Sequence, residues 1–257
     1  MKARSLLMMM ALAVWSAFAV ANRAAAADAP ADFAAANKMY AEGKFAEAAG
    51  AYEQIIQSAA RAGEASPALY FNAGNTEFKL GHLGRAIAAY RRAALLAPRD
   101  SEVLGNLNFA RNQVQGATVR PEAWQNWFGV LTLNEGTLLT AGAFCLWLGL
   151  LAVRQLKPAL VPRLRGLTVA ALVVTLLSGA VLAVQATNRF TTQTAVVTTG
   201  NVLARSGPFD DAQTVFTPHD GTELTVLDRH DDWLQVTDGS GKIGWLPRKV
   251  LEVLPGA

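Results

Sequence analysis

Two long uncharged runs constrain what this chain can fold into. Gly136–Val153 covers 18 residues and Gly166–Ala186 covers 21, and neither contains an acidic or basic side chain. An 18-residue helix is about 27 Å long, close to the hydrocarbon thickness of a bilayer. Helices in soluble cores carry a polar face that would interrupt such runs. The runs are therefore read as transmembrane helices over 130–153 and 166–187. Between them, the segment 154–165 holds Arg154, Lys157, Arg163 and Arg165 and no acid. Basic loops stay on the cytoplasmic side, so this loop is expected to face the cytoplasm. Pro158 and Pro162 predict a break in helix there. Asn134 and Glu135 are expected to cap the first span. Trp124, Trp127 and Phe128, just before it, suit the membrane interface.

A third apolar stretch opens the chain. Lys2 and Arg4 precede Leu6 to Val20, and Ala24 to Ala27 follow, the layout of a secretory signal over 1–27. Whether it is cleaved or kept as an anchor, it sends the next segment outward. The segments before the first span and after the second are thus both expected outside. In a two-membrane bacterium that side is the periplasm, and the membrane is the inner one.

The net charge of +3 and the pI near 9.2 invite a nucleic-acid reading. Its distribution removes that reading. Residues 28–123 are neutral, 124–190 carry +4, and 191–257 carry −4. Neither segment of domain size offers the basic face that phosphate contacts need. The positive charge lies beside the apolar runs, where it sets topology.

Residues 28–123 are helical by period, and they repeat. Tyr40-Ala-Glu-Gly43-Lys-Phe45-Ala-Glu-Ala48-Ala-Gly-Ala-Tyr52 recurs 38 residues later as Phe78-Lys-Leu-Gly81-His-Leu83-Gly-Arg-Ala86-Ile-Ala-Ala-Tyr90. Glycine ends a helix, small alanines let two helices approach, and the aromatic fills the next gap. This resembles the tetratricopeptide repeat (TPR), with Tyr70, Gly74, Gly81, Ala86, Tyr90, Ala93 and Pro98 at the expected spacings. The four extra residues are placed in a loop over Ser58 to Pro67. A further helix from Ser101 reads as a cap for the stack. The resemblance implies a peptide-holding groove lined by Asn37, Asn72, Asn75 and Lys79. Asn37 and Asn72 match the asparagines with which some TPR proteins clamp a C-terminal carboxylate. Phe33, Glu102 and Asn106 replace that clamp's cations, so carboxylate binding is not carried over.

Residues 191–257 change character. Thr222-Glu-Leu-Thr-Val-Leu-Asp228 and Trp233-Leu-Gln-Val236 alternate as strands, punctuated by Gly221, Gly239 and Gly241. Arg205-Ser-Gly-Pro208, the glycine before the central strand, Asp232-Trp233 and Gly244-Trp245 together resemble a bacterial SH3 domain, a small all-β barrel. Arg205, Trp233 and Trp245 are the candidate ligand-binding residues on its surface, although both tryptophans also suit plain strand packing. Asp210, Asp211, Asp228, Asp231 and Asp232 form an acidic rim, read as solvated loops and not as a metal site.

No catalytic constellation is legible. His82, His219 and His230 are scattered, and Cys145 is the single cysteine, within the first span. Neither a zincin, a P-loop nor a nucleophile-elbow pattern occurs. No cofactor or metal is expected, and no enzymatic activity. The fold class read from the sequence is a multidomain membrane protein: an all-α TPR superhelix, two transmembrane helices and an SH3-like barrel.

Signal, TPR, two spans and terminal barrel in that order are similar to the BatE-type proteins of the Bat aerotolerance group. That resemblance implies a partner-binding role in an envelope complex with von Willebrand A-domain proteins and a MoxR-type ATPase, linked to stress tolerance or envelope integrity. Two functions stay open: a scaffold holding protein partners in the TPR groove, and a receptor whose barrel binds cell-wall peptide.

Overall fold

A computed structural model describes residues 31–62, 66–115, 132–191 and 193–255. The signal expected over 1–27 and the aromatics Trp124, Trp127 and Phe128 lie outside them.

The first module is a stack of antiparallel helices: α1 (Ala31–Ala41), α2 (Phe45–Ala62), α3 (Pro67–Lys79), α4 (Leu83–Leu96) and α5 (Ser101–Arg111). The turns after α1 and α3 are made by Gly43 and Gly81, at φ +77° and +81°. Only glycine takes that left-handed conformation without strain. Within each hairpin, a small residue faces the aromatic that follows it. A Cβ on Gly74 would lie 2.7 Å from the Tyr90 ring. Ala36, the matching residue of the first repeat, is fully buried in one cluster with Tyr52. The loop expected over Ser58–Pro67 is largely helix, because α2 continues to Ala62. The extra residues thus lengthen a helix by about one turn, favoured by the alanine-rich run that holds no breaker before Gly63.

α6 (Leu133–Leu156) and α7 (Val161–Thr191) form an antiparallel hairpin. Gly136 faces Leu182 and Gln185, and Gly179 faces Thr140. Both helices are long and apolar enough to cross a membrane. Leu167, Leu176 and Leu177 project outward, each more than half exposed. Two expectations change here. The cap of α6 is Thr132, which forms a reciprocal box with Glu135, while Asn134 lies inside the first turn. Pro162 does not break helix, because it sits in the first turn of α7, where the missing N–H would have had no partner. The turn between the helices is a single 3-10 turn, Pro158–Leu160.

One residue after α7, the chain enters a seven-stranded antiparallel sheet. Its strands are β1 (Gln193–Val197), β2 (Ala204–Arg205), β3 (Thr214–Phe216), β4 (Glu223–His230), β5 (Trp233–Thr237), β6 (Ile243–Pro247) and β7 (Leu251–Pro255), in the order β3-β2-β6-β5-β4-β1-β7. It wraps around one core of Ala195, Val197, Ala204, Leu224, Leu234, Val236 and Leu246.

The helical stack and the sheet are packed together. Val196 of β1 and Leu254 of β7 point away from the barrel core into a cluster with Ile87, Ala88, Leu107 and Ala110. β1 is therefore apolar on both faces, which explains the unbroken Ala195-Val196-Val197. Gly84 lets this approach happen, since a Cβ there would lie 2.0 Å from the Val197 carbonyl oxygen. The carboxylate of Asp220 accepts the Gly84 N–H at 3.1 Å, while His82 at the start of α4 makes no side-chain cap. The sheet thus supplies the cap that the helix lacks. Burial raises the pKa of Asp220, against the pull of these backbone donors.

Candidate functional site

Three of the four groove residues expected from the sequence come together. Asn37 (α1), Asn72 and Asn75 (α3) line a hollow of about 170 Å³ with Tyr40 and Tyr52. Helix spacing places them there: Asn72 and Asn75 are three apart on one face of α3. Their side chains form two matching units. Asn37 Oδ1 accepts from the Tyr52 hydroxyl at 2.6 Å and from Asn72 Nδ2 at 2.8 Å. Asn75 Oδ1 accepts from the Tyr90 hydroxyl at 2.7 Å and from Asn106 Nδ2 at 2.9 Å. Burial raises the pKa of both tyrosines, so both hydroxyls stay protonated and donating. With the carbonyls of Asn37 and Asn75 engaged, the amide groups of Asn37 and Asn75 and the carbonyls of Asn72 and Asn106 remain to meet a ligand. That row offers neutral donors and acceptors, the chemistry of a peptide main chain.

Lys79 is not among the lining residues of the hollow. It is exposed in the last turn of α3. In the sequence Asn106 stands out only as a clamp position, and Tyr52 and Tyr90 only as core. Their buried rings are core, and their hydroxyls also orient the asparagines. The recurring interval from Asn37 to Tyr52 and from Asn75 to Tyr90, 15 residues in both, was a legible signal.

The sheet carries the second surface. Trp245 of β6 lies opposite Arg205 on one side and Gln235 on the other, and Trp233 lies opposite Pro247 and His230. Leu234, Val236 and Leu246 alternate with these residues and fill the core. Trp233 and Trp245 therefore sit half-buried on the outer face. The His230 ring meets Trp245 edge-on at 6.4 Å. Arg205 is occupied within the barrel: its guanidinium donates to the Ala212 carbonyl at 3.0 Å and to Thr214 Oγ1 at 3.3 Å, closing the β2–β3 loop. Among the described residues, no three His, Cys, Asp or Glu side chains gather as a metal site.

The fold joins a stack of helical hairpins and an SH3-like antiparallel sheet with an apolar helical hairpin between them in the chain. Residues 67–100 match the family model of the tetratricopeptide repeat, and residues 198–252 match that of the bacterial SH3 domain. No curated protein matches the chain. The first repeat, α1 and α2, lies outside the matched range but shares its hairpin geometry and its asparagine–tyrosine pair.

The modules meet in a charged cluster that the sequence did not reveal. Glu223, at the start of β4, accepts from Arg91 Nη1 at 2.8 Å, Arg111 Nε at 2.5 Å and Arg111 Nη2 at 3.0 Å. The three side chains are 3%, 8% and 15% exposed for Glu223, Arg91 and Arg111. At the edge of the contact, Arg92 pairs with Glu252 at 2.7 Å. Each of these cations comes from the helices and each acid from the sheet.

Proposed function

We propose that the chain is a non-enzymatic, membrane-anchored scaffold in an envelope complex, holding protein partners in its TPR groove. One observation carries this reading: the helical stack, which precedes the hairpin, packs directly on the sheet, which follows it. Modules in contact stand on the same side of any bilayer the hairpin crosses. The positive-inside rule then assigns the turn and the helix ends beside it, with Arg154, Lys157, Arg163 and Arg165, to the cytoplasm and both modules to the periplasm, at the inner membrane. The order of modules is similar to BatE-type proteins. On that resemblance the partners are von Willebrand A-domain proteins and a MoxR-type ATPase, and the process is stress or oxygen tolerance or envelope integrity. The test is capture of such an A-domain partner by the detergent-solubilised full chain. Asn72→Ala, which removes a groove carbonyl and the bond to Asn37, should lower capture about tenfold, the scale of one lost polar contact. Unchanged capture counts against the groove.

A second reading is supported by the outward Trp233 and Trp245 and by the bacterial SH3 match: the barrel is a cell-wall peptide receptor. Full-length protein in detergent should then co-sediment with purified peptidoglycan, and Trp233→Ala should weaken it. Absence of co-sedimentation removes this reading and leaves the first intact.

A further inference from the structure

Residues that bond to the groove and residues that reach the sheet share the same two helices. α4 carries Tyr90, whose hydroxyl bonds the groove residue Asn75, and next to it Arg91, whose guanidinium reaches Glu223. α5 carries Asn106, which bonds the groove residue Asn75, and ends at Arg111, which also reaches Glu223. One carboxylate therefore ties α4 to α5.

α5 needs such a tie. It is 11 residues long and buries only Val103, Leu107 and Ala110, and its Phe109 is 57% exposed. A helix of that length does not hold itself in water and depends on tertiary contacts. The stack offers it α4, with a minor contact to α3. Beyond that, the sheet covers its C-terminal end, where the would-be Cβ of Gly221 lies 2.7 Å from Val114. Arg111 is also well placed as a cation at a helix C-terminus. A buried ion cluster contributes little net stability but penalises any arrangement that separates its members, so it fixes geometry.

We propose that the sheet sets the shape of the groove: Glu223, acting through Arg91 and Arg111, is a positioning residue that holds α5 against α4 and keeps the Asn75–Tyr90–Asn106 unit assembled. The importance of this geometry for partners rests on the groove being the partner site, as proposed above. The geometry itself is tested without any partner.

The experiment is hydrogen exchange read by mass spectrometry on the full chain in detergent micelles, with side-chain amide resonances from ¹⁵N-asparagine labelling. Arg111→Met cuts the tie without altering any residue of the sheet. Amides of Ser101–Arg111 should then exchange about tenfold faster or more, while those of β5 and β6 stay unchanged. The Asn106 amide resonance should move toward that of exposed Asn108, and Asn37 and Asn72 should stay in place. A purely stabilising role would not single out Asn106. Arg111→Lys keeps the charge without the fork and should restore part of the protection. Glu223→Gln should reproduce the Arg111→Met result. If it also unfolds the sheet, shown by fast exchange in β5 and β6, Arg111→Met alone decides. Unchanged α5 exchange and an unmoved Asn106 resonance in Arg111→Met overturn the proposal. Unchanged partner capture in Asn72→Ala, with the Arg111→Met signals moving as expected, would count against the scaffold reading only.

Discussion

At Gly84 the contact between modules leaves no room for a methyl group: Val197 O would be 2.0 Å away and Asp220 Oδ1 2.6 Å. Both neighbours are held, one in a strand backbone and one by its bond to the Gly84 N–H, so neither yields cheaply. Gly84→Ala should destabilise by about 1–3 kcal/mol, the usual range for overpacking. Gly50→Ala, on α2 with open space around it, should instead stabilise by about 0.5–1 kcal/mol through helix propensity. Thermal unfolding in detergent compares the two. Glu252 gives a pH signature. Burial raises its pKa despite the pull of Arg92. A carboxyl with a raised folded-state pKa stabilises fully below its unfolded pKa, and that contribution is lost as pH rises through the folded value. Wild type should therefore gain stability relative to Glu252→Gln as pH falls from 7 toward 4.5, read as the difference in urea midpoints. A difference independent of pH would contradict this. At this scale the sequence displayed the asparagines, because a known repeat pattern put Asn37, Asn72 and Asn75 on one face. It did not display Glu223. A glutamate in an alternating strand is ordinarily solvated, and its two arginines lie 132 and 112 residues away.

Among the elements, α6 shows how a short polar signal fixes a helix start. Thr132 accepts the Glu135 N–H and Glu135 Oε2 accepts the Thr132 N–H, so two orphan donors are satisfied reciprocally. Glu135 also pairs with Arg99, at the loop between α4 and α5, which ties the repeat module to the foot of the hairpin. Thr132→Ala should cost about 1 kcal/mol at this cap and speed exchange of amides 133–136 by roughly fivefold. Asn134→Ala, which removes no capping bond, should leave those amides unchanged. Both helices of the hairpin were legible as uncharged runs, since hydrophobic length alone carries that signal. Their ends were not. Pro162 reads as a breaker in any local rule, and its harmless first-turn place depends on where the preceding turn closes.

For the whole molecule, the decisive relation is that residues far apart in sequence, on either side of the hairpin, share one interface. It forbids a topology with the modules on opposite sides of a bilayer. In a Cys145→Ala background, single cysteines at Lys79 and Lys242, both exposed, should react with a membrane-impermeant maleimide from the periplasmic side. A cysteine at exposed Ala159, in the turn, should react only after the membrane is permeabilised. Reaction of positions 79 and 242 on different sides would refute the docked arrangement as well as the topology.

The sequence by itself determined the local structure: two apolar helices by the length of their uncharged runs, a helical repeat by its 38-residue recurrence, and a strand-rich end by its alternation and turns. These signals are local, or are tied to a repeat that copies local geometry. The tertiary structure alone decided that the two polar modules are docked, that an aspartate of the sheet caps a helix of the stack, and that one buried glutamate bridges the two helices that shape the groove. Such contacts depend on surfaces meeting through space. Their residues carry no pattern in the chain, because each is an ordinary arginine, glycine or acid until its partner is brought within hydrogen-bond reach.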